Sequence, residues 1–196
     1  MILPIAAYGD PVLRKVADEI EADYPNLREL IENMFDTLHN ANGVGLTACQ
    51  VGLPISLFAV DAAPIAKEKG NEHLKDFKKV FINPEIIEER GKEWSYNEGC
   101  LSLPDIREDI VRKFQIHIEY FDENFNFCSE KFSGLAARII LHEFDHIEGI
   151  LFVDRLSFLK KRLLKRKLTD ISKGKIQVDY EMKFPLKKIK TNVDSI

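Results

Sequence analysis

Cysteine is scarce in this sequence: its 196 residues contain only Cys49, Cys100 and Cys128. A small, odd number of cysteines argues against a disulfide framework, which small secreted domains build from even sets. We therefore interpret each cysteine as a core residue, a reactive thiol or a metal ligand.

Long hydrophobic runs are also missing. No apolar run approaches the roughly 20 residues that a helix needs to cross a bilayer. The opening stretch, residues 1–7, has no basic lead-in and is followed at once by Gly9, Asp10 and Pro11, so it does not resemble a secretory signal. We expect a cytoplasmic protein with no membrane partner.

Neither sign of charge is in large excess. The formal net charge is -4 and 31% of the residues are charged, an ordinary value for a globular protein. The sequence therefore gives no overall reason to expect a DNA partner. Since 45% of the residues are apolar, the chain has enough of them to build a core.

Apolar residues at helical spacing predict three helices. The first is predicted over residues 25–40. The second is predicted over residues 134–148, between a capping Ser133 and a terminating Gly149. The third begins near Ser157. Its predicted buried stripe is Leu159, Leu163, Leu164, Leu168 and Ile171.

Short strands are predicted at residues 56–61, 80–82 and 86–87. The polar stretch 62–79 is predicted to be a loop. Alternating apolar residues on both sides of a turn signal predict a hairpin over residues 116–132.

These elements predict an α+β fold. We expect a single domain with antiparallel or mixed β-sheets around a central metal-binding helix, plus a C-terminal helix. Residues 1–155 would form the catalytic domain, residues 156–175 a basic helix packed on it, and residues 176–196 an extended or irregular tail.

The motif that indicates chemistry is His142-Glu143-Phe144-Asp145-His146. Residues four apart share a helix face, so both imidazoles can bind one metal ion. Glu143 is offset by one position, which places its carboxylate beside the open site, where it can transfer protons. The alternative is that both residues are ordinary core or surface histidines of a helix that binds no metal.

A catalytic site of this kind usually needs a third protein ligand. One protease class would require a histidine where this chain has Phe152, and another would require a downstream glutamate. The glutamates available are Glu148, which is too close, and Glu181, which lies in the tail. Cys100 is a candidate because thiolate binds zinc or ferrous iron well. Its glycine and proline neighbours predict an irregular segment over residues 97–104, and burial as a small apolar side chain is the alternative.

Three segments together resemble the peptide deformylase family. They are Gly43-Val44-Gly45-Leu46-Thr47-Ala48-Cys49-Gln50, Glu98-Gly99-Cys100-Leu101-Ser102 and His142-Glu143-Phe144-Asp145-His146. They occur in the family's order and at similar separations, and the resemblance runs from Gly9 to about Arg155.

The resemblance implies removal of the formyl group from the N-terminal formyl-methionine of new polypeptides. It implies that Cys100, His142 and His146 bind one divalent metal, usually Fe2+ in the cell, with Zn2+, Ni2+ or Co2+ able to replace it. Glu143 would be the general acid and base. Gln50 and the backbone N–H of Leu101 would stabilise the developing oxyanion.

The resemblance also suggests a substrate pocket. Glycine at residues 43 and 45 would leave room for the substrate backbone. Arg107 would contact the downstream peptide or lie free on the surface, and a pairing of Arg112 with Asp145 is suggested. The expected pocket residues are Gly43, Val44, Gly45, Glu98, Gly99, Arg107, Leu135 and Ile139.

The sequence departs from the family pattern at four positions. Thr47 replaces a common alanine, Leu141 a common glutamine and Ile147 a common leucine, while Arg138 stands at a pocket-wall position that is often apolar. None of the four is a proposed metal ligand.

The third helix carries a local positive charge. Residues 156–175 contain eight basic residues and one acidic residue, Asp170. Attraction to phosphate would allow docking to ribosomal RNA near the site where nascent chains emerge, and the alternative is a solvated helix face. Two further functions compete with deformylation: a zinc peptidase and a non-catalytic binding protein that keeps the fold.

Overall fold

The structure, a computed structural model, describes residues 1–186. Its three helices are α1 (Leu27–Asn40), α2 (Gly134–Ile147) and α3 (Phe158–Ser172). Its strands are β1 (Ile5–Ala6), β2 (Gly45–Thr47), β3 (Leu57–Asp61), β4 (Lys78–Cys100), β5 (Leu103–Phe121), β6 (Phe127–Ser133) and β7 (Met182–Lys183). The predicted α+β class is confirmed.

The main sheet has five antiparallel strands in the order β2-β3-β4-β5-β6. Alternate residues of β3 point to opposite faces. Phe58 and Val60 pack in the cluster that includes Ile140 of α2, whereas Leu57 and Ala59 pack in the cluster that includes Met34 of α1. Strand β3 is therefore buried on both faces, which explains its continuous apolar run.

The second sheet joins the two ends of the described chain. Strand β1 pairs in parallel with β7, with Ile5 opposite Met182 and Ala6 opposite Lys183. Within the tail that is predicted to be extended or irregular, residues 182–183 therefore form a short strand. Its last part, residues 187–196, lies outside the described residues.

Strands β4 and β5 form a long hairpin that the sequence did not predict. The segments 80–82 and 86–87 belong to one strand of 23 residues. The segment around Cys100, predicted to be irregular, is the end of this strand: the pairing register shifts between Gly99 and Cys100, and Cys100 pairs with Leu103 across the turn at residues 101–102. Many residues in the outer part of the hairpin are exposed, so this region lacks the apolar alternation that signals a half-buried strand.

Helix α2 begins after Ser133, but the Ser133 side chain makes no capping hydrogen bond. Its end is as predicted: Gly149 adopts a φ of 69°, and a side chain there would meet the carbonyl oxygen of Arg14 at 2.8 Å. Glycine is therefore required where the helix ends.

Helix α3 packs on the domain through Leu164, Leu168 and Ile171. The other two residues of its predicted stripe are exposed, Leu159 by 70% and Leu163 by 81%. The prediction was wrong for them because the helix buries only a narrow face, and sequence spacing does not reveal how wide the contacted face is.

Candidate metal centre

Cys100 lies at the end of β4, and His142 and His146 lie on α2. One potential ligand atom from each of the three residues lies within 4.8 Å of the other two. The Cys100 Sγ is 3.2 Å from Nε2 of His146. The structure therefore brings together the Cys100 thiol at the end of β4 and the His142 and His146 imidazoles of α2, the three groups that the sequence analysis proposes as ligands.

The second ring nitrogen of His142 supports a metal at this position. Its Nδ1 lies 2.9 Å from Oε2 of Glu98, which leaves Nε2 available as a ligand. Carboxylates commonly hold metal-binding histidines in this way and fix the ring orientation. One thiolate and two imidazoles suit zinc or ferrous iron. The residues present therefore fit a divalent metal ion.

Glu98 is held by two arginines as well as by His142. Arg112 donates from Nε to Oε1 at 2.7 Å and from Nη2 to Oε2 at 2.9 Å, while Arg138 Nη1 donates to Oε1 at 2.8 Å. Burial by itself raises the pKa of the Glu98 carboxyl, but the hydrogen bonds from His142 and Arg112 outweigh it and hold that pKa well below its usual range. Glu98 is therefore an anion that orients the imidazole.

Arg112 also joins this network to α2. Its Nη1 donates to Oδ2 of Asp145 at 2.7 Å, which confirms the suggested pairing. Asp145 in turn accepts from Nε of Arg155 at 2.7 Å. The side chain of Arg112 is almost fully buried, so its charge is paired on both sides, as buried charges require.

The side chain of Glu143 extends from α2 towards the segment that carries Gly45 and Thr47. The Thr47 hydroxyl donates to Oε2 of Glu143 at 2.7 Å. A side chain at Gly45 would collide with the Glu143 carboxyl, whose carbon lies 2.8 Å from the position of a β-carbon. Burial raises the pKa of the Glu143 carboxyl, and the hydrogen bond from Thr47 acts in the opposite direction. A carboxyl with a raised pKa is suited to proton transfer near neutral pH.

Gln50 has its amide orientation fixed from both ends. Its Oε1 accepts from the backbone N–H of Thr47 at 2.9 Å. Its Nε2 lies 3.5 Å from Cys100 Sγ and donates to the Ser102 hydroxyl at 3.2 Å. The amide N–H groups therefore face the Cys100–Ser102 turn.

A cavity of about 790 Å³ opens beside these groups. It is lined by most of the residues expected at the site: Val44, Gly45, Gln50, Glu98, Gly99, Cys100, Leu101, Arg107, Leu135, Ile139, His142 and Glu143. His146 is not among its lining residues, and is 1% exposed. Gly43 is also outside the lining, since a side chain there would meet Leu38 and Leu101.

Two arginines are bonded in ways that sequence patterns did not indicate. Arg107 is exposed, and its Nε and Nη2 donate to Asn97 at 3.0 and 2.7 Å. Arg138 is 2% exposed, donates to the carbonyl oxygens of Ile110 and Trp94, and stacks over the Trp94 ring at 4.5 Å. It therefore belongs to the Glu98 network and also lines the cavity.

Sequence reasoning missed two parts of the site. Thr47 was noted only as a departure from a family pattern, although a buried hydroxyl next to a glutamate-bearing helix signals a hydrogen bond. Residues 177–180 line the cavity as well, and no motif marks them. Of the other two cysteines, Cys49 is fully buried as predicted, whereas Cys128 is only partly buried.

A family model described as polypeptide deformylase matches residues 2–162. The chain belongs to the peptide deformylase family. The peptide deformylase of Christiangramia forsetii is 60% identical, over 94% of this chain and 97% of that protein. The peptide deformylase of Flavobacterium psychrophilum is 57% identical, over 96% of this chain and 100% of that protein.

Crystal structures of deformylases agree with this assignment. A peptide deformylase from Legionella pneumophila matches with a TM-score of 0.77 at 35% identity, covering 89% of this chain and 98% of that one. Peptide deformylase 1B from Arabidopsis thaliana, in complex with an inhibitor, matches with a TM-score of 0.77 at 34% identity, covering 88% and 92%. Peptide deformylases are metal-dependent hydrolases that remove the N-formyl group from nascent peptides, and this chain is such an enzyme.

The hydrogen bond from Thr47 to Glu143 generates a prediction. Replacing Thr47 with valine keeps the shape but removes the donor, so Glu143 loses a group that holds its carboxyl in place. We expect kcat for deformylation to fall by about tenfold, a fraction of the roughly 10²–10⁴-fold that a positioned acid–base group contributes.

Thr47→Ser is the matched control because it keeps the hydroxyl, and it should retain most of the activity. Metal content and thermal unfolding of both variants separate this effect from loss of folding. A valine variant as active as the wild type would contradict the role of the hydroxyl.

Proposed function

We propose that Cys100, His142 and His146 hold the metal ion of this deformylase and that Glu143 moves the proton during hydrolysis. The observation that carries the proposal is the convergence of one thiol and two imidazoles within 4.8 Å, with the Glu143 carboxyl beside them. A divalent ion bound there supplies Lewis-acid chemistry, since it lowers the pKa of water and withdraws electron density from a carbonyl oxygen.

The side chains then act in a defined order. Glu143 takes a proton from the attacking water as the new C–O bond forms at the formyl carbon. It gives that proton to the departing nitrogen as the C–N bond breaks, which releases formate and a free α-amine. The raised pKa of Glu143 supports both transfers, because a carboxyl group whose pKa lies closer to neutral can both accept and release a proton.

Two donors are proposed for the negative charge that develops on the formyl oxygen. One is the Gln50 amide, whose orientation is already fixed by Thr47. The other is the backbone N–H of Leu101, in the turn next to Cys100. Donors that are held before the reaction need no reorganisation when charge develops, and removing one typically costs about 2.7–4 kcal/mol of barrier.

The methionine side chain is proposed to enter the cavity between Val44, Leu135 and Ile139. Leu135, Ile139 and His142 share one face of α2, so this apolar wall leads directly to the metal ligands. Gly45 keeps the opposite wall free of a side chain, and Glu98 and Gly99 form its strand side. Arg107 is proposed to meet the downstream peptide with its Nη1, which neither of its hydrogen bonds to Asn97 uses.

Replacing Glu143 with glutamine tests the assignment most directly. Glutamine keeps the size but cannot carry the proton, so deformylation of a formyl-methionyl peptide should fall by about 10²–10⁴-fold. Metal content, measured by mass spectrometry, should be unchanged because Glu143 is not a proposed ligand.

The control for this experiment is Glu148→Gln, which changes an exposed glutamate just beyond the same helix and should leave the rate unchanged. Formate release that survives in the Glu143 variant would overturn the mechanism. Cleavage of an internal peptide bond without formate would favour the zinc peptidase alternative.

We further propose that the metal in the cell is ferrous iron and that zinc, nickel or cobalt can occupy the same ligands in purified protein. Thiolate ligation at a site open to a cavity makes the iron form sensitive to oxidation. Protein purified without oxygen should contain iron and lose activity on exposure to air. A zinc-loaded sample, whether it is as active as the iron form or less active, should keep its activity in air. Equal stability of both forms in air would argue against iron.

We propose a cytoplasmic location and a ribosomal docking site on α3. The helix presents Phe158, Leu159 and Leu163 to solvent, exposed by 77%, 70% and 81%. Basic side chains surround these apolar residues. The exposed basic residues are Lys160, Lys161, Arg162, Lys165, Arg166 and Lys167. Apolar side chains in a positive field suit an RNA–protein surface, where phosphates supply the complementary charge.

Co-sedimentation with ribosomes tests the docking site. Replacing Lys161, Arg162, Lys165 and Arg166 with alanine should release the protein from ribosomes at low salt, because each phosphate contact contributes to affinity through counterion release. A control variant with alanine at Lys67, Lys69, Lys75 and Lys92 removes the same charge from exposed positions elsewhere. Equal sedimentation of both variants would discard the proposal.

A further inference from the structure

Residues 177–183, which we call the C-terminal strap, follow α3 and run back across the molecule. Strand β7 ties the strap to β1, with the N–H of Ile5 bonded to Glu181 O and the N–H of Ala7 bonded to Lys183 O, both at 2.9 Å. Before that anchor, residues 177–180 line the same cavity as Cys100, His142 and Glu143. The strap lies outside residues 2–162, which match the family model.

Tyr180 connects the strap to the turn that follows Cys100. Its hydroxyl donates to the carbonyl oxygen of Leu101 at 2.8 Å. Its side chain is partly buried and packs against the same apolar cluster as Leu101 and Met182. The hydroxyl is therefore held on the turn by packing and by the strand pairing two residues later.

The turn is held from outside the hairpin at three points. Besides Tyr180, the N–H of Tyr8 donates to the carbonyl oxygen of Ser102 at 2.9 Å, and Gln50 Nε2 donates to the Ser102 hydroxyl at 3.2 Å. Only two residues, Leu101 and Ser102, make the turn between the paired Cys100 and Leu103. A rotation of the 101–102 peptide would therefore move the neighbouring N–H of Leu101.

We propose that Tyr180 is a positioning residue for deformylation, because it holds the Leu101 turn so that the Leu101 N–H faces the reacting oxygen. This inference rests on the proposed function, in which that N–H is an oxyanion donor. A misplacement of about 1 Å at a reacting centre can cost as much as 10²-fold in rate, so one distal hydrogen bond can matter for catalysis.

Tyr180→Phe in the full-length protein removes only the hydroxyl. We expect kcat to fall by about tenfold or more with KM within about twofold, since an interaction that orients a transition-state donor affects kcat and not ground-state binding. Metal content should be unchanged. Tyr120→Phe is the control: it removes another tyrosine hydroxyl, which donates to Glu130 at 3.0 Å, from a residue that does not line the cavity, and kcat should stay the same.

A second measurement needs neither metal nor activity. Amide hydrogen exchange of a peptide covering residues 99–103 should be faster in metal-free Tyr180→Phe than in metal-free wild type, and unchanged in Tyr120→Phe. If the wild-type enzyme failed to deformylate peptides, the proposed function would fail while exchange would still test the positioning of the turn.

Three results would overturn the inference. The first is a kcat within twofold of wild type with unchanged exchange. The second is a raised KM with unchanged kcat, which would make Tyr180 a peptide contact. The third is a lower kcat without faster exchange at residues 99–103, which would mean that Tyr180 acts by another route.

Discussion

The buried carboxylate of Glu98 is the interaction on which the site depends. It accepts hydrogen bonds from Arg112 of β5 and from Arg138 and His142 of α2, so one side chain of β4 fixes the helix against the hairpin. Buried ion pairs add little net stability, because desolvation offsets their attraction. Their value here is geometric: only one position of α2 along β4 satisfies all of these donors together, and in that position His142 and His146 meet Cys100.

The long hairpin supplies the other half of this geometry. Glu98 and Cys100 are two residues apart near the end of β4, and both side chains reach the imidazoles of α2, although the pairing register with β5 shifts between Gly99 and Cys100. The Glu98 carboxylate contacts Nδ1 of His142, and the Cys100 sulfur lies 3.2 Å from Nε2 of His146. A proposed metal ligand and the residue that orients its neighbour are thus placed by a single strand, and a shift of one residue in register would turn both away from the helix.

Sequence patterns predict the elements whose apolar residues recur at short, regular spacing. Helices α1 and α2 follow from apolar spacing, and the predicted metal ligands come from a helical motif and a family resemblance. Sequence reasoning did not find the length of β4 and β5, because exposed strands carry no apolar alternation. It also missed Thr47, Arg138 and Tyr180 as partners of the site, since each acts across 40 or more residues of sequence.

The pairing of β1 with β7 has a consequence for how the protein is made. The two strands lie at opposite ends of the described chain, and β7 leaves the ribosome some 175 residues after β1, a count that follows from Ile5 and Met182 being partners. Domains generally fold as their chain emerges, N-terminal parts first. Here the first strand of the described chain must wait for the last one, so the cavity wall formed by the strap closes only after residues 177–183 have been synthesised. A molecule of this enzyme therefore completes its site some 80 residues after Cys100 has been added to the chain.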